Sequence, residues 1–270
     1  MKIIDAHTHI GNEPNSRFAE TSFAENLQLL LKDLKSSKID HAIILPDDWK
    51  EAKFDPNTET VLEITQDVSN LTILGSLDVL NHTRKEFTNL EHWLREKKIA
   101  GIKLYPGYQY FYPDDEVCDP IYELAEKYEV PVLIHSGDTS DPMAKIKYTN
   151  PRRIDDVATD HPNLKIIIAH VGNPWTVDCA QVVYKNKNVY ADISGLLAGN
   201  CLDKPAQEVT RKRLRDFVAY AGAEKLIYGS DWPIVELKPY LKFVKSIKFP
   251  KKDLEKIYYR NAAELFRINV

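Results

Sequence analysis

Cysteine is scarce in this chain, and the few cysteines present are not placed for pairing. The three residues, Cys118, Cys179 and Cys201, are odd in number, lie far apart and form no C-x-x-C spacing. A disulfide framework needs an even set of cysteines, and a structural zinc knuckle needs C-x-x-C pairs. Both kinds of site are therefore excluded, and a reducing compartment is predicted.

Long apolar runs are also missing. The N-terminus lacks a basic segment followed by an apolar stretch, and no apolar run in the 270 residues is long enough to cross a bilayer. The net charge of -4 gives no electrostatic reason to expect a polyanionic partner. We therefore expect a cytoplasmic protein whose partner is a small molecule, and neither a nucleic acid nor a membrane.

The chain contains no Gly/Ser-rich linker and neither of the common glycine-rich phosphate loops, G-x-G-x-x-G and G-x-x-x-x-G-K-[ST]. Without such a linker the sequence shows no boundary between domains. Without the phosphate loops, an open, doubly wound sheet that binds nucleotides is disfavoured.

A regular alternation of short apolar runs and amphipathic helical stretches is what the chain does contain. Eight runs are typical of buried strands: 2–7, 41–46, 71–79, 101–106, 131–137, 165–172, 189–195 and 225–233. Eight βα units in a chain of this length predict an α/β fold, a (β/α)8 TIM barrel that forms one domain over 1–270. Barrel enzymes often pair through their outer helices, so a homo-oligomer stays open.

Polar residues recur at the predicted C-terminal ends of these strands, where barrels of this type assemble their active sites. His7 and His9 lie in the opening stretch IDAHTHIG, and residues i and i+2 of a strand point to the same face, so the two imidazoles should project side by side. The other strand-end residues are Lys103, Tyr105, His135, His170, Asp192 and Asp231. Burying such groups together is costly unless a common partner satisfies them, and a divalent metal, zinc or manganese, is such a partner.

The motifs DAHTHIG, GIKLYP, PVLIHSG, IIIAHVG, GSDWP and IYYRNAAELFRI, in this order, resemble the amidohydrolase superfamily. The specific resemblance is to its amidohydrolase-related (amidohydrolase 2) branch of metal-dependent hydrolases and decarboxylases, and it covers essentially the whole chain. It implies that the metal ligands are His7, His9, His135 and Asp231. His170 matches a histidine that acts as an acid/base group or binds a second metal. Lys103 falls where binuclear members carry a carboxylated lysine, so one ion is favoured and two stay open.

The resemblance implies a metal-dependent hydrolase of a small-molecule C–N or C–O bond, of the amide or lactone type, that uses a metal-activated water. Asp231 would be the catalytic proton acceptor, and His170 would polarise the carbonyl or stabilise the oxyanion. The alternative at the same site is a nonoxidative decarboxylase of a small aromatic or muconate-like carboxylic acid, in which no water attacks. That alternative is less favoured because such relatives commonly have inserted loops that this chain lacks.

Two other classes are disfavoured. A barrel that only binds a ligand or metal, without activity, predicts the loss of at least one ligand position, and all of them are present. A nuclease of related fold is disfavoured because Lys103 stands where those enzymes carry a glutamate.

Three residues are predicted to bind the substrate. Lys103 would contact it, or would instead pair with a carboxylate for structural reasons. Tyr105 begins the aromatic loop YPGYQYFYPDD, which forms a wall of the pocket or packs over the barrel rim. Trp232, directly after Asp231, is expected to line the same pocket. Asp192 either orients a histidine N–H or makes a plain structural hydrogen bond.

Overall fold

The computed structural model of the chain describes residues 1–12, 21–49, 52, 54–139, 141–198 and 203–269, in which short parallel strands alternate with helices. The strands are β1 (Ile4–Thr8), β2 (His41–Ile44), β3 (Leu71–Ile73), β4 (Gly75–Ser76), β5 (Ile102–Leu104), β6 (Val132–Ile134), β7 (Ile166–Ile168), β8 (Val189–Asp192) and β9 (Leu226–Ile227). The helices are α1 (Phe23–Ser37), α2 (Thr58–Thr65), α3 (Arg84–Arg95), α4 (Asp119–Lys127), α5 (Arg153–Asp160), α6 (Thr176–Lys185), α7 (Lys204–Ala221), α8 (Leu237–Ser246), α9 (Lys251–Glu255) and α10 (Asn261–Phe266). Within these ranges no helix is both long and apolar enough to cross a membrane.

The cysteines occupy interior positions where the structure describes them. Cys118 and Cys179 are buried free thiols. Cys201 lies outside the described residues, so the prediction about it stays a prediction.

One predicted strand is divided in two. The run 71–79 forms β3 and β4, which belong to sheets of the order β1-β2-β3 and β4-β5-β6-β7-β8-β9. Leu74 donates its backbone N–H to the Ile44 carbonyl at 3.1 Å, whereas Gly75 donates to the Gly101 carbonyl at 2.9 Å. The chain therefore changes its pairing partner at Leu74, because tilted barrel strands are staggered against their neighbours.

Backbone hydrogen bonds close the barrel between its last and first strands. Ala6 donates to the Tyr228 carbonyl at 2.9 Å, and His9 donates to the Trp232 carbonyl at 2.7 Å. Asp231 donates to the His7 carbonyl at 2.8 Å. The segment that carries Asp231 is thus fastened directly to the segment that carries the two histidines, which agrees with the predicted α/β barrel.

Side chains of the strands alternate between two apolar layers. Ile134 and Ile168 belong to the cluster that packs against the outer helices. Leu133 and Ile167 belong to an inner cluster, which also contains residues of α10. This alternation predicts which side of each strand faces the barrel interior.

A bulge in β1 decides the direction of its histidines. Ile4 and Ala6 both belong to the inner cluster, so strict alternation would turn His7 toward the outer helices. The pairing with β2 shifts between Asp5 and Thr8, because Asp5 lies opposite Ala42 while Thr8 lies opposite Ile44. β1 thus has one extra residue there, which reverses the alternation and brings the two histidines to the inner side.

Candidate active site

Three of the predicted metal ligands, His7, His9 and Asp231, converge at the carboxyl ends of β1 and β9. The Nε2 atom of His7 lies 3.4 Å from Oδ1 of Asp231, and the Nε2 atom of His9 lies 3.6 Å from the same oxygen. All three residues are buried, and their ligand atoms lie within 4.8 Å of one another. One metal ion could be held by this group.

The protonation of His7 shows that the group fits a cation. Burial, with a contribution from Lys103, lowers the pKa of His7 to about 3 despite the opposing effects of Asp192 and Asp231. The neutral ring donates from Nδ1 to Oδ2 of Asp192 at 2.9 Å. Its Nε2 is therefore an acceptor that faces another acceptor, Asp231 Oδ1. Two such lone pairs repel unless a cation lies between them, and imidazole with carboxylate suits zinc. Asp192 makes the histidine-orienting contact that was predicted as one of two alternatives.

His9 is in a different electrostatic environment. Burial on its own would lower the pKa of His9, but Asp55, Asp231 and Asp47 outweigh burial and raise it to about 9. The closest of these carboxylates on the Nδ1 side is Asp55, whose Oδ2 atom lies 3.3 Å away. No motif in the sequence marks Asp55, which lies between β2 and α2.

His170 lies beside His7, as predicted, but in a turn rather than in a strand. It belongs to a short 3-10 turn, Ala169–Gly172, that follows β7, and its φ of 56° is in the left-handed region. Its backbone N–H donates to Oδ1 of Asp192 at 2.9 Å, and its ring centroid lies 4.9 Å from that of His7. The two imidazoles are therefore organised by the same carboxylate.

Ser194 connects the two imidazoles and was not predicted from the sequence. Its Oγ atom lies 2.8 Å from Nδ1 of His170 and 3.0 Å from Nδ1 of His7, and it donates to Oδ1 of Asp192. The available signal was its position two residues after Asp192, on the same side of an extended chain.

His135 reaches the edge of the group but not its centre. Its ring lies 5.1 Å from the His170 ring and 4.9 Å from the Tyr108 ring. Its Nε2 atom lies 3.1 Å from the Asp138 carbonyl, which leaves Nδ1 as the nitrogen available to a ligand. In the part of the chain that the structure describes, no group of three close ligand atoms includes His135. Its assignment as a metal ligand stays a prediction.

Lys103 and Tyr105 lie together on one side of the site. The Lys103 side chain is buried, and its Nζ atom lies 4.8 Å from the centre of the Tyr105 ring. Burial lowers the pKa of Lys103 to about 8, although Asp192 and Asp231 oppose this shift. The Tyr105 hydroxyl donates to the Pro46 carbonyl at 2.9 Å, which ties this wall to the end of β2.

The Trp232 side chain is not brought to this group. Its indole N–H donates to Asp33 of α1 at 3.2 Å, and the residue belongs to the cluster that packs against the outer helices. The prediction that Trp232 lines the pocket is therefore not matched by its position. The backbone leaves the extended conformation at Asp231, whose φ of 69° is in the left-handed region, so the side-chain pattern of the strand does not continue to Trp232.

Comparisons with known proteins identify the wider group of relatives. A family model described as Amidohydrolase matches residues 4–268. The L-fucono-1,5-lactonase of Burkholderia ambifaria is 29% identical over 159 residues, which are 53% of this chain and 49% of that protein. The match thus spans about half the length of this curated relative.

Two solved structures superimpose along the whole chain. An uncharacterised TIM-barrel protein from Bordetella bronchiseptica has a TM-score of 0.79 at 22% identity, with 99% of both chains covered. An amidohydrolase from Burkholderia multivorans with bound zinc has a TM-score of 0.74 at 13% identity, with 100% of both chains covered. At these identities the likeness concerns the fold, and it confirms the predicted TIM barrel.

Proposed function

The chain belongs to the amidohydrolase family, and from this premise we propose that it is a zinc-dependent hydrolase that opens a small-molecule lactone. The convergence of His7 Nε2 and His9 Nε2 on Asp231 Oδ1 carries the proposal. Two imidazoles and a carboxylate are a common ligand set of catalytic zinc, which keeps one position open. The similarity to a lactonase favours an ester bond over an amide.

The chemistry divides between the ion and the side chains around it. A divalent ion held by His7, His9 and Asp231 would lower the pKa of a water molecule and polarise the substrate carbonyl. Although burial raises the pKa of Asp231, the nearby imidazoles, His7 first, outweigh burial and hold it below its usual range. Asp231 is therefore ionised at neutral pH and can accept a proton from the attacking water.

Ring opening then balances with that one proton. The water oxygen forms a bond to the carbonyl carbon, and the bond between this carbon and the ring oxygen breaks. Asp231 passes the proton to the ring oxygen, which becomes a hydroxyl, and the carbonyl carbon becomes a carboxylic acid. Nδ1 of His170 contacts Ser194, so its Nε2 is the nitrogen left for the substrate, and it would stabilise the oxyanion as an N–H donor of the imidazolium form. The Lys103 ammonium and the Tyr105 ring form the substrate wall beside it.

Metal analysis tests the site. The protein is purified without added metal, alongside the His7→Ala/His9→Ala double variant, and both are measured by inductively coupled plasma mass spectrometry. We expect about one zinc per chain in the parent protein and loss of that zinc in the variant. About two ions per chain would instead indicate a binuclear centre with a carboxylated Lys103. A parent protein that takes up no metal, even on addition, would overturn the proposal.

A substrate assay tests the reaction. The zinc-loaded protein is screened against sugar lactones, beginning with L-fucono-1,5-lactone, and acid release is followed with a pH indicator. In water labelled with oxygen-18, the product acid should gain one labelled oxygen. Release of carbon dioxide from a hydroxybenzoate-like acid, without incorporation of the label, would replace hydrolysis by the decarboxylase alternative.

A further inference from the structure

His9 lies between two carboxylates, one on each side of its ring. Its Nε2 atom is 3.6 Å from Asp231 Oδ1, and its Nδ1 atom is 3.3 Å from Asp55 Oδ2. The imidazole is 10% exposed and the Asp55 side chain 6%, so water cannot readily replace either partner. When one ring nitrogen binds a metal, the other carries the proton and needs an acceptor. The Asp55 carboxylate lies where that acceptor is needed.

The neighbouring ligand shows the arrangement with a formed hydrogen bond, whereas His9 Nδ1 contacts Asp55 within ion-pair distance and has no hydrogen-bond partner among the described residues. His7 donates from Nδ1 to Asp192 at 2.9 Å, while its Nε2 faces Asp231. Each histidine of the H-x-H pair therefore has its own carboxylate behind it. The two carboxylates differ in origin, because Asp192 ends β8 whereas Asp55 lies in the connection between β2 and α2.

Backbone contacts fix the position of Asp55 next to the end of β1. Asn12 donates its N–H to the Phe54 carbonyl at 2.7 Å. The close approach depends on Gly11, since a Cβ atom there would lie 2.3 Å from Asp55 Oδ1 and 2.5 Å from the Phe54 carbonyl oxygen. The residues that follow the two histidines thus hold the connection that carries Asp55.

We infer that Asp55 is a positioning residue for the metal centre, whose carboxylate accepts the His9 Nδ1–H and holds Nε2 toward the ion. This inference rests on the proposed metal site and adds to it a part of the β2–α2 connection that no motif marks. Removing a carboxylate that orients a metal-bound histidine typically weakens metal binding by roughly 10- to 100-fold. The expected effect is therefore on affinity for the ion, and not only on turnover.

Asp47 distinguishes the positioning of His9 by Asp55 from the binding of a second cation. His9, Asp47 and Asp55 also form a group of close ligand atoms, and each aspartate has a buried Oδ1 atom without a hydrogen-bond partner among the described residues. A second cation bound there would need both aspartates. Positioning of His9 needs Asp55 alone.

The experiment compares zinc affinity in three single variants by competition with a chromophoric chelator. Asp55→Asn keeps the size of the side chain and removes its charge, and it should bind zinc roughly tenfold or more weakly than the parent. Asp47→Asn should keep both affinity and stoichiometry. Asp48→Asn is the matched control on the same connection, because its carboxylate accepts from Thr58 at the start of α2 and not from His9.

A spectroscopic measurement separates positioning from a general effect on structure. In zinc-loaded protein labelled with nitrogen-15 histidine, the Nδ1–H resonance of His9 should shift upfield in Asp55→Asn, while that of His7 stays in place. Asp192→Asn should show the reverse pattern, which assigns the two signals.

The outcomes are distinct. Unchanged zinc affinity and an unchanged His9 resonance in Asp55→Asn would overturn the inference, but the metal site would stand if the His7→Ala/His9→Ala variant still loses its ion. Two zinc ions in the parent, with one lost in both Asp47→Asn and Asp55→Asn, would overturn it in favour of a second cation. A parent protein without affinity for zinc would overturn the proposed function together with the inference.

Discussion

At the scale of single residues, Asp231 has two roles in the proposed mechanism. It would bind the metal ion together with His7 and His9, and it would accept a proton from the attacking water. We expect Asp231→Asn to lower kcat by roughly 10²- to 10⁴-fold, because an amide keeps the shape of the side chain but cannot act as the base. KM should change far less. Steady-state kinetics on a cleaved lactone measure both constants, with His92→Gln on the exposed face of α3 as a control that keeps full activity. An unchanged kcat would remove Asp231 from its catalytic role.

The two H-x-H histidines differ in whether they carry an extra proton at neutral pH that a metal ion must displace. In the metal-free protein the pKa of His9 is raised to about 9, whereas that of His7 is lowered to about 3. Zinc binding at neutral pH therefore expels a proton from His9 and none from His7. We expect zinc affinity to rise about tenfold per pH unit between about pH 6 and 8 and to level off above about pH 9. Chelator competition across this range measures the slope, and a flat profile would contradict the expectation.

The same shift has a consequence for the metal-free fold. A protonated His9 stabilises the folded state fully below its unfolded pKa of about 6.5. This contribution is lost as the pH rises through about 9. Zinc binding therefore becomes stronger in the same pH range in which the metal-free fold loses this contribution.

At the scale of elements, the end of β1 has little room beside the segment that follows β9. A Cβ atom at Gly229 would lie 2.7 Å from the Cβ atom of His7. Gly229→Ala should displace His7, weaken zinc binding and lower the free energy of unfolding by about 1–3 kcal/mol. Urea unfolding and chelator competition measure the two effects. Gly75→Ala is the matched control, since its Cβ would meet Ile99 and Leu90 away from the site, and it should lower stability alone.

The alternation of strands and helices was readable from the sequence because each element has its own hydrophobic period. Apolar runs such as 131–137 are short and continuous, and helices such as α1 and α3 carry an apolar stripe. The division of 71–79 into β3 and β4 was not readable, because it depends on which neighbour each half pairs with. The predicted strands are also longer than the observed ones, because a strand ends where its backbone no longer pairs with a neighbour and not where its apolar run ends.

Parts of the site were predictable for a related physical cause. His7, His9, His170 and Asp231 lie at the ends of apolar runs, and parallel strands bring such positions to one end of a barrel. Asp55 and Ser194 lie in connections, where no period constrains the side chains. Their contacts arise from pairs distant in the chain, such as Ser194 with His7. A single sequence places Ser194 on the same side of the chain as Asp192, but it carries no signal for the pairing of Ser194 with His7 and none for Asp55.

At the scale of the whole molecule, the ion would join the first and last strands of the barrel. His7 and His9 come from β1 and its end, and Asp231 comes after β9, so a bound ion cross-links the first strand to the segment that follows the last strand. Free zinc at 100-fold above its Kd should raise the free energy of unfolding by about 2.7 kcal/mol. Thermal unfolding with zinc and after chelation measures this difference. The His7→Ala/His9→Ala variant should show no response to zinc, and an equal response there would place the ion elsewhere.

The bulge between Asp5 and Thr8 makes the metal site depend on how β1 pairs with β2 as well as on the kinds of residues that β1 contains. A strand of the same sequence that paired without the bulge would keep strict alternation from Ile4 and Ala6, and it would turn both imidazoles into the layer of outer helices. Such a strand would retain the letters H-x-H, yet it would hold no ion. In a relative of this chain, the letters H-x-H therefore indicate a metal site only where the backbone turns both histidines to the inner side of the barrel.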